Sequence, residues 1–152
     1  MAYTSAEGRQ ELLDAFGEAI ELIGMALAAL GAAYEQLDER NADRLEEELF
    51  GPVQLAYGRA KSAYSRFADL HGMPGRTFSA PSPGIPSTGA KGFIDTAVGD
   101  VAQADMALSE LQDSSLPTEV GDETLRAALT GVRELLSGVR QRARELERTL
   151  GR

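Results

Sequence analysis

The side chains of this sequence that could hold metal ions are two pairs of carboxylates near the N-terminus and a single histidine. Glu11 and Asp14, and then Glu18 and Glu21, are three residues apart, a spacing that puts both members of a pair on one face of a helix. Di-metal sites in helical bundles use a Glu on two helices and Glu-x-x-His on two others. His71 is preceded three positions earlier by alanine, so neither Glu-x-x-His is present. We therefore expect no metal site and interpret the paired acids as a solvated face.

Other catalytic and cofactor chemistries lack the residues that they need. The chain has no cysteine, which excludes disulfides, thiolate metal sites, cysteine nucleophiles and the Cys-x-x-Cys-His attachment of haem. A serine or threonine nucleophile needs a base beside it, and one histidine at the end of a predicted helix is a poor candidate. No glycine-rich phosphate loop follows a strand, because no strand is predicted. We expect a non-enzymatic protein without a cofactor.

Length and charge set the broad class of the protein. A chain of 152 residues is typical of one domain, so we predict a single domain over 1–152. The net charge of −9 opposes nucleic acid as a partner, because phosphate binding starts from a basic surface. The N-terminus lacks the basic start and apolar run of a conventional signal peptide, and the uncharged stretch from Leu22 to Tyr34 is shorter than the roughly 20 residues that span a bilayer. These observations predict a soluble, cytoplasmic protein without a transmembrane segment.

The pattern Tyr34-x-x-x-Asp38 stands at the end of the first predicted helix. It is similar to the export signal of small helical proteins secreted by the type VII route, and this resemblance leaves export without a leader peptide open. Those proteins usually carry Trp-x-Gly between their helices, whereas this chain has no tryptophan. A pattern of five residues is also common by chance, so we assign the chain to no family.

Apolar residues recur at alternating steps of three and four along four segments, as in helices that pack at shallow angles. These seams predict four helices, over about 5–40, 42–71, 88–112 and 122–150. Thr4 with Glu7, and Asp122, are the expected N-terminal caps, although the last helix could begin at Pro117 instead. No β-branched run alternates with period two, so no strand is predicted. We therefore predict an all-α protein, a four-helix bundle with long antiparallel helices.

Two segments interrupt this helical pattern. Gly51-Pro52 lies inside the second helix, where proline removes one hydrogen bond, and the seam keeps its register, so we predict a kink within one helix. The Pro/Gly/Ser-rich segment 72–87 is predicted to be a long loop, with Phe78 and Ile85 as candidate anchors on the bundle. In an extended form its residues 72–86 could reach roughly 46 Å at about 3.1 Å per residue. It is therefore either a slack hairpin loop or a crossover along the bundle.

The first helix carries a candidate interface. Its predicted seam is Leu13, Phe16, Ile20, Ile23, Leu27, Leu30, Tyr34 and Leu37. Its outer face is acidic at both ends and bare in the middle, and the candidate interface residues there are Leu22, Met25, Ala28, Ala29 and Ala32. One explanation is that alanine is the best helix former and is tolerated on an exposed surface. The other is that the long loop or a second copy covers the stripe, which predicts a protein that acts by protein–protein association, as a homo-oligomer or with one protein partner.

A second candidate site follows the second helix. Phe50, Tyr57, Tyr64 and His71 recur at every seventh position beside its seam. One interpretation is a flanking core position, where tyrosine buries its ring and keeps its hydroxyl in water. The alternative is that Tyr57, Tyr64 and His71 contact a small apolar ligand or a lipid within the bundle. The small residues that would leave room for such a ligand are Ala56, Ala60 and Ala63.

Overall fold

All regular structure in the described part of the chain is helical, as the sequence predicts. The computed structural model describes residues 4–79, 82 and 89–150. Its α-helices are α1 (Ser5–Glu35), α2 (Glu39–Leu45), α3 (Gly51–Leu70), α4 (Gly89–Asp113), α5 (Leu116–Glu119), α6 (Glu123–Leu136) and α7 (Val139–Leu150). A π-helical turn, Glu46–Phe50, joins α2 to α3. The described chain is thus divided into more helical segments than the four that the seams predict.

Helix α1 begins where the sequence predicts and ends earlier. The hydroxyl of Thr4 accepts a hydrogen bond from the amide of Glu7 at 3.1 Å, which is the expected cap. The prediction that this helix continues to about residue 40 is wrong, because α1 ends at Glu35. The amide of Gln36 donates to a carbonyl three residues back at 3.0 Å, which closes a tight final turn. Asp38 then adopts an extended backbone and starts α2.

The buried face of α1 contains most of the predicted seam, at Leu13, Phe16, Ile20, Ile23 and Leu30, and it is wider than predicted. Leu27 is only half-buried, Tyr34 is 38% exposed and Leu37 lies beyond the helix. Alanines occupy core positions instead, and the continuous buried run is Leu12, Phe16, Ala19, Ile23, Ala26, Leu30 and Ala33. Helix α1 makes its most extensive contacts with α4. Small side chains on the packing face let two helix axes approach closely, so alanine here is a core residue.

The remaining helices pack around this α1–α4 pair. Helix α3 contacts α1 and α6, and α4 contacts α6 and α7. The predicted seam of α4 is buried throughout, at Ile94, Ala97, Val101, Ala104, Leu108 and Leu111. For the predicted second helix the apolar spacing gives the seam Leu45, Leu49, Val53, Ala56, Ala60, Ala63, Phe67 and Leu70. This seam is buried except at Ala63, which is half-buried, and at Leu70, which is 61% exposed. Tyr64 and Ala68 are buried in their place, since the α3 face turns slightly towards the aromatic stripe.

The interruption at Gly51-Pro52 coincides with the π-helical turn. Because proline has no N–H, the carbonyl of Glu48 loses the donor that a continuous α-helix would provide. Nε of Arg142, from α7, donates a hydrogen bond to this carbonyl at 2.8 Å. A guanidinium from a distant part of the chain therefore satisfies the backbone group that Pro52 leaves without a donor.

The last predicted helix, 122–150, is two helices. The cap at Asp122 is confirmed, because the amide of Leu125 donates a hydrogen bond to its Oδ1 at 2.7 Å. Pro117, the alternative start, lies in the separate short helix α5. The helix breaks because Ser137 leaves the helical conformation with ψ 137° and Gly138 has φ +83°, a conformation that favours glycine. The apolar seam stays buried across this break, at Leu125, Leu129, Val132, Leu136, Val139, Ala143 and Leu146.

Helices α3 and α4 run in the same direction. Arg142 of α7 reaches the Glu48 carbonyl just before α3, and the first turn of α4 lies beside the last turns of α7. At the other end, Arg66 of α3 pairs with Asp122, the cap of α6, which a short link joins to α4. The connection between α3 and α4 is therefore a crossover and not a hairpin loop. The predicted anchor Ile85 and the predicted helix start at Ser87 or Thr88 lie outside the described residues.

Candidate functional site

The candidate interface predicted on α1 is divided between core and surface. Ala29 is 1% exposed, so its prediction as an interface residue is wrong. The physical reason is that the buried face of α1 extends beyond the predicted seam to its alanines. Leu22, Ala28 and Ala32 are half-buried, and Met25 is 43% exposed. The remaining surface is a strip with one large exposed apolar side chain.

The segment that follows α3 lies along α1 beside this strip. The guanidinium of Arg76 occupies the space over Gly17 and pairs with Glu21 at 3.4 Å. Phe78 packs edge-on against Tyr64, with 5.1 Å between the ring centroids. A surface pocket of about 180 Å³ remains between this segment, α1 and α3. The chain's own loop therefore lies beside the strip, and Met25 remains exposed there.

The predicted ligand stripe on α3 is not one pocket. Tyr64 is buried, and its ring packs between Phe16 at 6.3 Å and Phe78. Ala56 and Ala60 are completely buried in the core. The volume opposite Tyr64 is therefore taken by aromatic side chains of α1 and of the loop, which agrees with the flanking-core interpretation.

Tyr57 lies on α3, whereas His71 directly follows the last residue of that helix. The ring of Tyr57 stands against Gly24 of α1, and Nζ of Lys61 lies 4.1 Å from its centroid. Burial, and then the charge of Glu21, raise the pKa of Tyr57, so its hydroxyl keeps its proton at neutral pH. His71 packs on a phenylalanine ring of α3, with 4.5 Å between centroids. Each contact is intramolecular and explains its side chain without a ligand.

The paired acids of α1 form an exposed face, as the sequence predicts. Glu11, Asp14, Glu18 and Glu21 are all exposed. Nε2 of Gln10 donates to Asp14 at 2.8 Å, and Glu21 is engaged by the loop arginine. In residues 4–79, 82 and 89–150, no three His, Cys, Asp or Glu side chains are grouped so that they could hold a metal ion.

A groove of about 1050 Å³ runs along the surface between α3 and α6. We call it the α3–α6 groove, and its lining residues are Gly51, Gln54, Leu55, Gly58, Arg59, Ser62, Ala63, Arg66, Thr124, Ala127, Ala128, Gly131 and Val132. None of these residues is acidic, although the chain contains 24 Asp and Glu. Leu55 is 46% exposed in the α3 wall. From Gly51 to Arg66 the wall is roughly 22 Å long at 1.5 Å per residue.

Two glycines of the α3–α6 groove have no intramolecular explanation. Within the described residues, nothing lies within 4 Å of the position that a Cβ would take at Gly58 or Gly131. A glycine in the middle of a helix costs roughly 0.5–1 kcal/mol relative to alanine. Gly31 and Gly99 share this property elsewhere, so an open glycine alone does not mark a site. The groove differs from the surroundings of Gly31 and Gly99 in one respect. Two open glycines and the exposed Leu55 line the same surface, and no residue that lines it is acidic.

The charge in the α3–α6 groove comes from two arginines. Arg66 pairs with Asp122 at 3.2 Å, whereas Arg59 forms no ion pair within the part of the chain that the structure describes. Partial burial raises the pKa of Asp122, but hydrogen bonds from the Leu125 amide and Arg66, and the charges of Arg66 and His71, outweigh it and lower that pKa. The groove is thus weakly basic on an acidic protein.

Sequence reasoning missed the α3–α6 groove because its two walls come from segments about 70 residues apart. One signal was present, since Gly58 and Gly131 fall on the outer faces of their helices, away from the seams. Both faces also lack acidic residues over several turns.

Comparisons with family models, with curated proteins and with solved structures find no match for this chain.

Proposed function

We propose that this protein acts through protein–protein association, as a homodimer whose interface is the α3–α6 groove. We further propose that the protomer is a four-helix bundle of long antiparallel helices, formed by α1, α2 with α3, α4, and α6 with α7, with a kink at Pro52. The observation that carries the proposal is the exposed Leu55 between open glycines of two helices. An apolar groove of this kind is typical of a surface that another helix covers.

The spacing of Leu55 and Gly58 suits a second copy of the same chain. The two residues are three positions apart and lie on one face of α3. When two α3 helices pack antiparallel about a twofold axis between these residues, each Leu55 enters the space over Gly58 of the other copy. Gly131 and the neighbouring alanines of α6 let the two copies approach closely. The same surface then serves on both protomers, as a twofold interface requires.

Charge also favours the antiparallel arrangement. The acidic turn Glu46–Glu48 directly precedes the Gly51 end of the groove, and Arg66 stands at the other end. An antiparallel pair brings the acidic end of one copy to the basic end of the other. The groove itself is lined by no Asp or Glu, so dimerisation would bury no carboxylate that lacks a cationic partner. The charges at the two ends of the groove are therefore complementary in the antiparallel arrangement.

Light scattering coupled to size exclusion tests the proposal. We expect the wild-type chain, at tens of micromolar, to have twice the protomer mass of 16.2 kDa. Gly58→Arg fills the space that Leu55 needs and adds a charge, so this variant is expected to be a monomer. Its helix should be no less stable than the wild type, since arginine is a better helix former than glycine.

Two control variants locate the interface. Gly99→Arg makes the same change at an open glycine of α4 outside the groove, and it should leave the dimer intact. Met25→Glu tests the strip on α1 and should also leave the dimer intact. A wild-type chain that stays monomeric at high concentration removes the proposal. If the Gly58→Arg variant is still a dimer and the Met25→Glu variant is a monomer, the interface lies on α1 and the groove is not part of it.

The second candidate function is the binding of a small apolar ligand or a lipid. The volume of the α3–α6 groove is close to the upper end of the range for ligand pockets, about 300–1000 Å³. Native mass spectrometry of freshly purified protein separates the two functions. A bound small molecule that Leu55→Asn displaces supports ligand binding, whereas a dimer without added mass supports association.

A further inference from the structure

A surface pocket of about 300 Å³ lies between the C-terminal end of α1 and the π-helical turn. We call it the α1-end pocket, and its lining residues are Gly31, Tyr34, Glu35, Glu46 and Phe50. None of these residues lines the α3–α6 groove, so the two surfaces can be tested separately. The volume is at the lower end of the range for small-molecule sites, about 300–1000 Å³, so an occupant would be small.

Two aromatic side chains from different elements line the α1-end pocket. Tyr34 of α1 is 38% exposed, and Phe50 of the π-helical turn is half-buried against the core. Among the described residues, neither ring packs against another aromatic ring, and no lysine or arginine lies over either of them. The parts of both rings that border the pocket are therefore available to a cation, which the negative face of an aromatic ring attracts.

The charges at the α1-end pocket also favour a cation. Glu35 and Glu46 are exposed, and neither forms an ion pair within residues 4–79, 82 and 89–150. Arg44 of α2 is engaged elsewhere, because it pairs with Glu48 at 3.6 Å and donates to Thr149 at 2.9 Å. Helix α1 has no basic residue in its last turn, so the negative end of its dipole has no cationic side chain of its own.

Gly31 leaves space in the α1-end pocket. Nothing in the described part of the chain lies within 4 Å of the position that a Cβ would take there. Gly31 and Tyr34 are three positions apart on α1, so the open space adjoins the tyrosine side chain. Gly99 is equally open, and such a glycine alone marks no site. Here it adjoins an exposed ring and two carboxylates that line the same pocket.

We propose that the α1-end pocket binds the quaternary ammonium group of a small organic cation, with its methyl groups against Tyr34 and Phe50. Glu35 and Glu46 offset the charge of the cation. Aromatic rings recognise such a group well, because its charge is spread over apolar methyl groups. A primary ammonium is strongly hydrated and would lose more hydration on entering. A metal ion is a poorer occupant, since no three metal-ligating side chains are grouped in the part of the chain that the structure describes.

Titration with choline, followed by the NMR signals of the backbone amides, tests the site on the full chain. We expect shifts confined to residues 31–36 and 46–50, with a Kd on the order of 1 mM for so small a site. Amides of α6 should not shift. The neutral analogue of choline, in which carbon replaces the nitrogen, has the same shape without the charge. It should bind about fivefold more weakly or less, because it lacks the attraction to the rings and carboxylates.

Variants of the pocket residues give a matched comparison. Gly31→Leu places a side chain in the open space and should abolish choline binding, and the helix should stay formed because leucine is a better helix former than glycine. Gly99→Leu makes the same change at an open glycine of α4 and should bind choline as the wild type does. Tyr34→Leu removes the ring but keeps an apolar side chain, and it should weaken binding about threefold or more.

Charge variants separate this site from general attraction to an acidic protein. Glu46→Gln should weaken the binding of choline but not that of its neutral analogue. Glu145→Gln removes the same charge from an exposed position of α7 and should change neither. Gly58→Arg should also bind choline normally, so that failure of the proposed dimer leaves this proposal intact.

Phosphocholine identifies the source of the cation. It carries the same trimethylammonium group beside a phosphate, which Glu35 and Glu46 repel, so we expect it to bind more weakly than choline does. Equal binding would still support the site and would assign the group to a lipid headgroup. No localised shift with choline, equal affinity for the neutral analogue, or unchanged binding in Gly31→Leu overturns the proposal.

Discussion

Asp122 shows how one side chain serves two elements. It caps α6 through the amide of Leu125 and pairs with Arg66 of α3, so it fixes the start of α6 against α3. The cap is predictable from sequence, because aspartate before an apolar periodic segment is a common N-terminal signal. The ion pair with Arg66 is not, since it joins residues 56 apart in the chain. Local hydrogen bonds follow from spacing, whereas this pair depends on how the helices pack.

We predict that Asp122→Ala lowers the free energy of unfolding by about 1 kcal/mol at pH 7, the usual effect of losing an N-cap. The pKa of Asp122 is lowered in the folded protein, so its contribution is present above the ordinary value of 3.8 and is lost as the pH falls through the folded value. The difference between wild type and variant should therefore shrink towards pH 2. Urea denaturation at pH 7 and at low pH measures it.

Asp122→Asn is the matched control for this prediction. Asparagine keeps the cap but loses the ion pair with Arg66, so it should cost less than Asp122→Ala at pH 7. Its stability should also vary less with pH than that of the wild type. A loss in Asp122→Ala that is equal at both pH values would show that the carboxylate charge has no part in it.

At the scale of elements, the seams predict which segments are helical but not where each helix stops. The seam of the last helix runs unbroken from Leu125 to Leu146, yet Ser137 and Gly138 divide the helix. The spacing of apolar residues shows which face of a helix is buried. A two-residue break that keeps this face in register does not change the spacing, so the spacing cannot reveal the break. The signal that was present is Ser-Gly, a common turn dipeptide.

The π-helical turn before α3 is an element that depends on a distant side chain. We predict that Arg142→Met lowers the free energy of unfolding by about 1–2 kcal/mol, because the Glu48 carbonyl loses a charged donor while Pro52 still withholds an N–H. Methionine keeps the length and most of the apolar part of the side chain. Urea denaturation measures the loss.

Arg140→Met is the control for this variant, since Arg140 is exposed on the same helix. Its effect should stay within about 0.5 kcal/mol, as is usual for surface positions. Equal losses for the two variants would mean that the Arg142 hydrogen bond contributes nothing specific. Sequence alone did not indicate this bond, because its partners are 94 residues apart.

At the scale of the whole molecule, the apolar middle of α1 is explained by its central position. By length and composition α1 would also pass as a membrane-spanning helix, with a mean hydropathy of 1.5 over 18 residues. In the structure, 50% of that window is buried among other helices, and a core helix has the same composition. The uncharged stretch was recognisable from sequence. Most of the buried face of α1 was recognisable too, at Leu13, Phe16, Ile20, Ile23 and Leu30. The burial of its alanines was not, because the partner α4 is distant in the chain.

We predict that Ala26→Leu lowers the free energy of unfolding by about 1–3 kcal/mol, since Ala26 is fully buried and a larger side chain would force α1 away from its neighbours. Ala28→Leu makes the same change two residues away, at a half-buried position on the outer strip. Its effect should stay near 0.5 kcal/mol or below. Thermal and urea denaturation of both variants measure the contrast. A reversed order would mean that the strip, and not the alanine face, is the packed side.

The crossover between α3 and α4 also has a consequence for chain entropy. It means that α1 and α4, the most extensively paired helices, are joined by about 50 residues that must close as one loop. The entropic cost of closing a loop grows only with the logarithm of its length, so removing or adding a few residues would change it by less than about 0.1 kcal/mol. The number of residues in the crossover is therefore weakly constrained. The contacts of Arg76 with Glu21 and of Phe78 with Tyr64 hold the first part of the crossover against α1 and α3.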